Sequence, residues 1–440
     1  MIRKSGNRFS LGTNARGVCP EIMLKSWRGC GFMPSLQAAP RTSALVMAVA
    51  FPHHAPQENT APEARRHRRA GMCRLKTGNA LAEVEDLAEV ENIVVATAEK
   101  IFADLADPQT INREKKGGWK APLWQALTQA GLPLSWVSEQ YGGSGASLAE
   151  GFGVLGAAGR FALAVPLAET MLAGWLLSQA TITSPEGAMT VAPAGPKDRV
   201  TVGADGTLSG RARGIPFAAD AEHIAVLASG NGGLSIALVE AGACRIEAGL
   251  NLGGDGNDTV TFSQVQPLAI QPAPKGFVQP TLMLMGGVVR SLQIAGALES
   301  MLDISVRYSN ERVAFEKKIS KFQAVQHNLA KLAGESAAAL AAATSAADAI
   351  ANCKTFDEAV FLEAASAKIR CSEAAEKGGA IAHQVHGAIG FTIEHILHRY
   401  SLRALAWRDD FGSESYWAVE LGKMVAARGA DELWPLVASR

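Results

Sequence analysis

The stretch that decides this chain is His383-Gln384-Val385-His386-Gly387-Ala388-Ile389-Gly390-Phe391-Thr392-Ile393-Glu394-His395, followed shortly by Trp407-Arg408-Asp409-Asp410-Phe411-Gly412. A glycine-broken turn separates two helical runs. Gly387 and Gly390 free the backbone there, and successive exposed N–H groups in such a turn can cradle an anion. Gln384 and His386 add polar side chains beside it. Gly-x-x-Gly alone is weak evidence, so its weight comes from what surrounds it.

Working outward, the chain from about 281 to the end reads as four long helical segments, near 281–312, 322–352, 356–386 and 393–427. The run 333–351 is almost entirely small residues plus Leu340. Alanine is the best helix former, and small faces let helices pack closely. A four-helix bundle is the expected result. Before it, between about 187 and 272, short apolar runs alternate with Gly, Asp and Asn. Met189–Ala192, Arg199–Val202, His223–Ala228, Leu234–Val239 and Thr259–Phe262 read as strands of a small antiparallel β domain. Earlier still, Leu81, Val84, Leu87, Val90 and Val94 keep a helical period. Pro122 opens a further helix that Gly131 stops, and more helix is expected near 148–161 and 167–177. The expected class is mixed but mainly α. A helical domain spans 76–186, a β domain 187–276 and a helical bundle 277–440.

The 440 residues are 48% hydrophobic and 19% charged, enough to bury a large core, and the formal net charge is zero. A neutral balance gives no support to a nucleic-acid partner. Six cysteines at irregular spacing, none in a CxxC pair, suggest a reduced intracellular protein. No uninterrupted apolar run reaches 18 residues, so no membrane span is expected. Residues 1–75 stand apart. Between Met1 and Gln57 seven Lys or Arg face one acid, Glu21, and Arg65-Arg66-His67-Arg68-Arg69 follows. The segment reads as a disordered extension, as a mitochondrial-type transit peptide, or as sequence ahead of a true start at Met72. A cytoplasmic location is expected, or the mitochondrial matrix if the leader is genuine.

The order helical, β, helical resembles the acyl-CoA dehydrogenase family over about 80–430, and so do several phrases. Leu123-Trp124-Gln125-Ala126-Leu127 and Glu139-Gln140-Tyr141-Gly142-Gly143-Ser144-Gly145 resemble its first helical domain. Leu208-Ser209-Gly210 with Ala218-Ala219-Asp220-Ala221-Glu222-His223 resembles its β domain. Arg312-Val313-Ala314-Phe315 with Phe322-Gln323 resembles the opening of its last helices, and His386 to His395 its cofactor loop.

The resemblance implies α,β-dehydrogenation of an acyl-CoA thioester, a step of fatty acid β-oxidation and related lipid metabolism. A base takes the α proton, and FAD takes the β hydrogen as hydride. It implies an electron-transfer flavoprotein as oxidant. It also implies a homodimer or tetramer, or an α2β2 assembly with a related chain. Some bulky-substrate and steroid-type members pair a base-bearing chain with one that lacks the base. For FAD it points to Arg312, Phe315, Phe322 and Gln323, and to Gln384, His386, Gly387 and Gly390 reaching from a neighbouring subunit. Arg290 falls about one turn beyond the family's CoA-contacting arginine.

At the base this sequence departs from the family. The family's two carboxylate positions fall at Phe411 and Gly286, and neither side chain accepts a proton. Asp410, or Asp409 beside it, is the nearest replacement, in a turn where burial raises a carboxylate's pKa toward the working range. Phe411 and Gly412 retain a substrate-binding role through the backbone, since the N–H of Phe411 can polarise a thioester carbonyl whatever its side chain. The β domain offers only Thr190-Val191-Ala192-Pro193-Ala194-Gly195 where the family has a Thr-Glu-Pro phrase. His383, His386, His395 and His398 form an HxxH…HxxH pattern of the kind that binds zinc. The cofactor-loop resemblance accounts for them without metal, and none is expected.

Overall fold

The computed structural model describes residues 93–114 and 117–438. The basic segment 1–75 and most of the heptad-like run from Leu81 lie outside them. A helix over 93–105 (α1) contains Val94 and is followed by α2 (Pro108–Arg113), α3 (Lys120–Gln129), α4 (Leu148–Arg160) and α5 (Leu167–Gln179). Gly131, in the left-handed region at φ 69°, ends the α3 segment as its position suggests. Ser147 caps α4 and exchanges hydrogen bonds with Glu150, which satisfies the helix's first free N–H groups. From Leu167 to Leu177, α5 is buried on every side, as a helix that is apolar all round must be.

Strands β1 (Met189–Ala192), β2 (Arg199–Val202), β3 (Leu208–Pro216), β4 (His223–Gly230), β5 (Gly233–Glu240), β6 (Arg245–Glu247), β7 (Asn257–Val265) and β8 (Ala269–Pro272) form one sheet. Its order is β6-β7-β3-β2-β4-β5-β8, with β1 added on β4. The sheet is not purely antiparallel. β1 runs parallel to β4 from Met189/His223 to Ala192/Val226, and β2 meets β4 in parallel at Thr201/Ser229. The returns between these strands are long enough to allow parallel pairing, which the apolar pattern of each strand does not reveal. β3, β6 and β8 were not separable from turn residues by pattern.

The remaining chain is α6 (Gln279–Glu311), the hairpin β9 (Val313–Ala314) and β10 (Lys317–Lys318), α7 (Gln323–Asn352), α8 (Glu358–His386), α9 (Leu397–Asp409), α10 (Glu414–Arg428) and α11 (Leu433–Ala438). An 18-residue window of α6 has a mean hydropathy of 1.4, and all of it is buried inside the protein. It is therefore the core helix of the bundle. Backbones of α4 and α6 nearly touch: a Cβ on Gly296 would lie 2.2 Å from the Gly156 carbonyl oxygen, and one on Gly159 2.2 Å from that of Gln293. Only glycine allows that approach.

The segment expected as one helix over 393–427 is two. The chain leaves the helix at Asp410, Phe411 turns left-handed at φ 53°, Gly412 follows at φ 96°, and Ser413 caps α10 by accepting from Tyr416 N. A left-handed non-glycine residue costs roughly 1–2 kcal/mol, so the surroundings must hold it there.

Candidate active site

Phe411 is fully buried. Its ring lies on α6 where that helix has no side chain, and a Cβ on Gly286 would be 2.3 Å from Phe411 Cδ1. The two positions implied for a base are thus in direct contact, and both are apolar. On the other side of the break, Trp417 Nε1 donates to the Phe411 carbonyl at 3.0 Å.

Beneath the ring is a buried ionic network. The Arg290 guanidinium carbon is 5.8 Å from the Phe411 ring centre. Arg290 Nε donates to Asp410 at 2.9 Å, one terminal nitrogen to Glu169 at 2.6 Å and the other to Gln293 at 2.6 Å. Burial raises the pKa of both Glu169 and Asp410, and Arg290 opposes it. Burial also works against the Arg290 charge, but the two carboxylates outweigh it and its pKa stands above the ordinary value. Lys368, on α8 and wholly buried, donates to the carbonyls of Trp407 at 3.0 Å and Arg408 at 2.6 Å. It satisfies the last carbonyls of α9, which have no intrahelical partners. Burial brings its ammonium down to about 8, with Asp410 and Asp409 pulling the other way.

Arg290 is 2% exposed and spends its guanidinium on α5 and on Asp410, which gives it a structural place in the network. Sequence reasoning missed Glu169 and Lys368. For Glu169 the available signal was a lone charge in an otherwise apolar helix, Leu-Ala-Glu-Thr-Met-Leu-Ala; Lys368 shares its helix with several other charges and carried no such signal.

Asp410 also lines a cleft of about 390 Å³ between the helices and the sheet. Ala406 and Asp409 stand on its helical wall, with Ala194, Gly195, Arg213, Gly214 and the 250–252 loop opposite. The Thr190 hydroxyl is not available to the cleft, because it donates to the Pro216 carbonyl at 2.7 Å.

The expected loop residues 384–390 precede α9, whose 13 residues make it about 20 Å long. Tyr308, one turn before the end of α6, stacks on His386 with ring centres 4.4 Å apart and donates to the His386 carbonyl at 3.3 Å. The α6 terminus carrying Arg312 therefore meets the end of α8 carrying Gln384. Arg312 and Gln323 are exposed. Phe315 is 89% exposed and meets Phe322 edge-on at 6.3 Å. Gly387 is exposed at φ 66° and ψ −148°, a backbone conformation open essentially to glycine. Gly390 is buried, and its would-be Cβ lies 3.0 Å from His386 and 3.1 Å from His383 and Leu397, so close packing also calls for glycine there.

The histidines are built into the protein. His383 shares a hydrogen bond with Ser401 at 2.8 Å, His386 Nδ1 donates to the Ala382 carbonyl at 2.8 Å, and His398 Nδ1 donates to that of His395 at 2.6 Å. Burial brings His383 and His395 down to about 4, so both are neutral at pH 7.

Residues 278–414 match the family described as acyl-CoA dehydrogenase, C-terminal domain. Acyl-CoA dehydrogenase IpdE2 of Mycobacterium tuberculosis is 25% identical over 323 residues, covering 72% of this chain and 91% of that protein. The fold is that of the ChsE4-ChsE5 complex from Mycobacterium tuberculosis, with a TM-score of 0.69 at 22% identity over 77% of this chain and 97% of the chain compared. A steroid ACAD variant of Tcur3481-Tcur3483 aligns with a TM-score of 0.69 at 25% identity, over 78% of this chain and 99% of its own.

Proposed function

We propose that the chain is a FAD-dependent member of the acyl-CoA dehydrogenase family, oxidoreductases acting on the CH–CH bond of acyl-CoA thioesters, and that it serves this reaction as the FAD- and substrate-binding partner subunit of a heteromeric enzyme, with the carboxylate base on a related chain. One observation carries the reading. The ring of Phe411 covers Gly286, so neither family position has a proton acceptor and the space between them is filled. Two relatives in fold, ChsE4-ChsE5 and Tcur3481-Tcur3483, are themselves pairs of proteins.

The residues present suit the dinucleotide end of FAD. Arg312, exposed and without an ion pair among the described residues, offers a planar fork for pyrophosphate. Gln323 and Gln384, both exposed, offer amides, and nothing lies within 4 Å of a Cβ on Gly387, so its backbone is open to an anion. Phe315 and Phe322 offer ring faces for a planar base, Phe315 almost wholly free to do so. His386 is held by Tyr308 and orients the loop rather than touching the cofactor. When bound, FAD supplies the hydride acceptor, and an electron-transfer flavoprotein then takes the two electrons. The chain's own contribution is positional: the 410–412 segment presents its backbone toward the thioester, Arg290 and Trp417 hold that segment in place, and Lys368 holds the last turn of α9 ahead of it.

A second reading is favoured by one feature. Asp410 lines the cleft, and burial raises its pKa in the direction a base near neutrality needs. Against it, the Arg290 ion pair occupies the carboxylate. Assay of the purified homo-oligomer with acyl-CoA, alone and with a co-expressed base-bearing chain, separates the two. Full turnover by the homo-oligomer that is lost in Asp410→Asn establishes Asp410. Turnover only with the second chain establishes the partner role.

A further inference from the structure

The loop 250–256 faces the cleft with two exposed leucines, Leu250 at 78% and Leu252 at 53%. Large apolar side chains exposed as a pair at the mouth of a cleft call for an explanation, particularly when the backbone presenting them is fixed. Here it is fixed twice. Asn251 Oδ1 accepts from Gly253 N at 2.8 Å and Asp255 N at 3.1 Å, and Asn251 N donates to the Asp255 carbonyl at 2.9 Å. Asp255 is then tied to α9 by a buried ion pair, 2.7 Å from Arg403, with both side chains 5% exposed. The loop is thereby anchored to the helix that ends at Asp409, with Asp410 next in the chain.

The charges around the cleft decide which end of an acyl-CoA belongs there. Asp409 and Asp410 stand on one wall. Arg213 is the one cation among the lining residues, and Asp198 already holds it through two nitrogens at 3.1 and 2.7 Å. That balance disfavours the CoA phosphates and leaves the uncharged acyl end as the fitting occupant. We propose that Leu250 and Leu252 are specificity-determining residues, an apolar lip that favours long or bulky acyl groups over short ones. This rests on the acyl-CoA reading above and names the class of acyl group that the reading leaves open.

The test is isothermal titration of the purified full-length protein with free CoA, butyryl-CoA and dodecanoyl-CoA, comparing wild type with the Leu250→Ser/Leu252→Ser double variant. Both side chains are exposed, so the variant is expected to keep its melting temperature. The lip account expects dodecanoyl-CoA to bind about tenfold or more weakly to the variant, with butyryl-CoA changed less than about twofold and free CoA unchanged, since only the long chain loses apolar contact. Equal loss for all three ligands, no loss for any, or a fall in oligomeric mass by light scattering would overturn it, the last by making the leucines a subunit contact. Binding of free CoA and both thioesters with equal affinity by wild type also overturns the lip but spares the acyl-CoA reading. Failure of wild type to bind any of the three removes that reading and the lip with it.

Discussion

Phe411 and Gly286 are far apart in sequence and in contact in the fold, the ring of one occupying the space where the other has no Cβ. Each requires the other. Gly286→Ala forces the ring to move in a fully buried site, and overpacking of that kind costs on the order of 1–3 kcal/mol. Urea denaturation is expected to show that loss, and Phe411→Ala in the same chain is expected to recover part of it. Additive losses in the double variant would show that the two residues are not coupled.

Restoring a carboxylate tests the chemistry at the same point. In Phe411→Glu the new side chain enters beside Arg290, which favours its ionised form. The FAD-loaded variant is expected to gain turnover with acyl-CoA over wild type, measured with an artificial electron acceptor. An inert, folded, flavin-loaded variant would mean that more than the base is missing.

Arg290 holds two buried carboxylates, so removing it leaves both without their cation. Arg290→Met is expected to destabilise the protein by roughly 3–5 kcal/mol, the range for breaking a buried ion pair from one side. Adding Glu169→Gln and Asp410→Asn is expected to restore much of that, because neutral groups need no counter-charge. Denaturation midpoints of the single and triple variants decide it.

The histidines near the α8–α9 turn give a pH signature. Burial lowers His383 and His395 from the ordinary value of 6.5 to about 4. Between those values the unfolded chain binds protons that the folded chain does not, so stability rises with pH from about 4 to 6.5 and is level above it. The melting temperature is expected to fall on acidification through that window. His383→Asn, which keeps a polar group near Ser401, is expected to flatten part of the slope. An unchanged slope would assign the acid sensitivity to carboxylates instead.

Helices were the legible part of this fold. The apolar period, Gly131 and the alanine run placed α3 to α8 within a few residues, because each signal is local. The break at Phe411 was not legible as a left-handed turn, since nothing in Asp-Asp-Phe-Gly dictates it. Trp417 on α10, Arg290 on α6 and Lys368 on α8 impose it from a distance. The parallel pairing of β1 with β4 was hidden for the same reason: strand pattern reports burial and leaves the partner open. The absent carboxylates at 286 and 411 were readable by position. That the two positions touch, and that Arg290 is committed elsewhere, required the packing of helices remote in sequence.

The central claim is tested most directly by the visible absorption spectrum of the purified chain before and after an acyl-CoA is added. The account predicts flavin bands that shift on binding but do not bleach for the chain alone, and that bleach once a base-bearing related chain is present. Rapid bleaching by the chain alone, or a colourless protein that takes up no FAD, would contradict it.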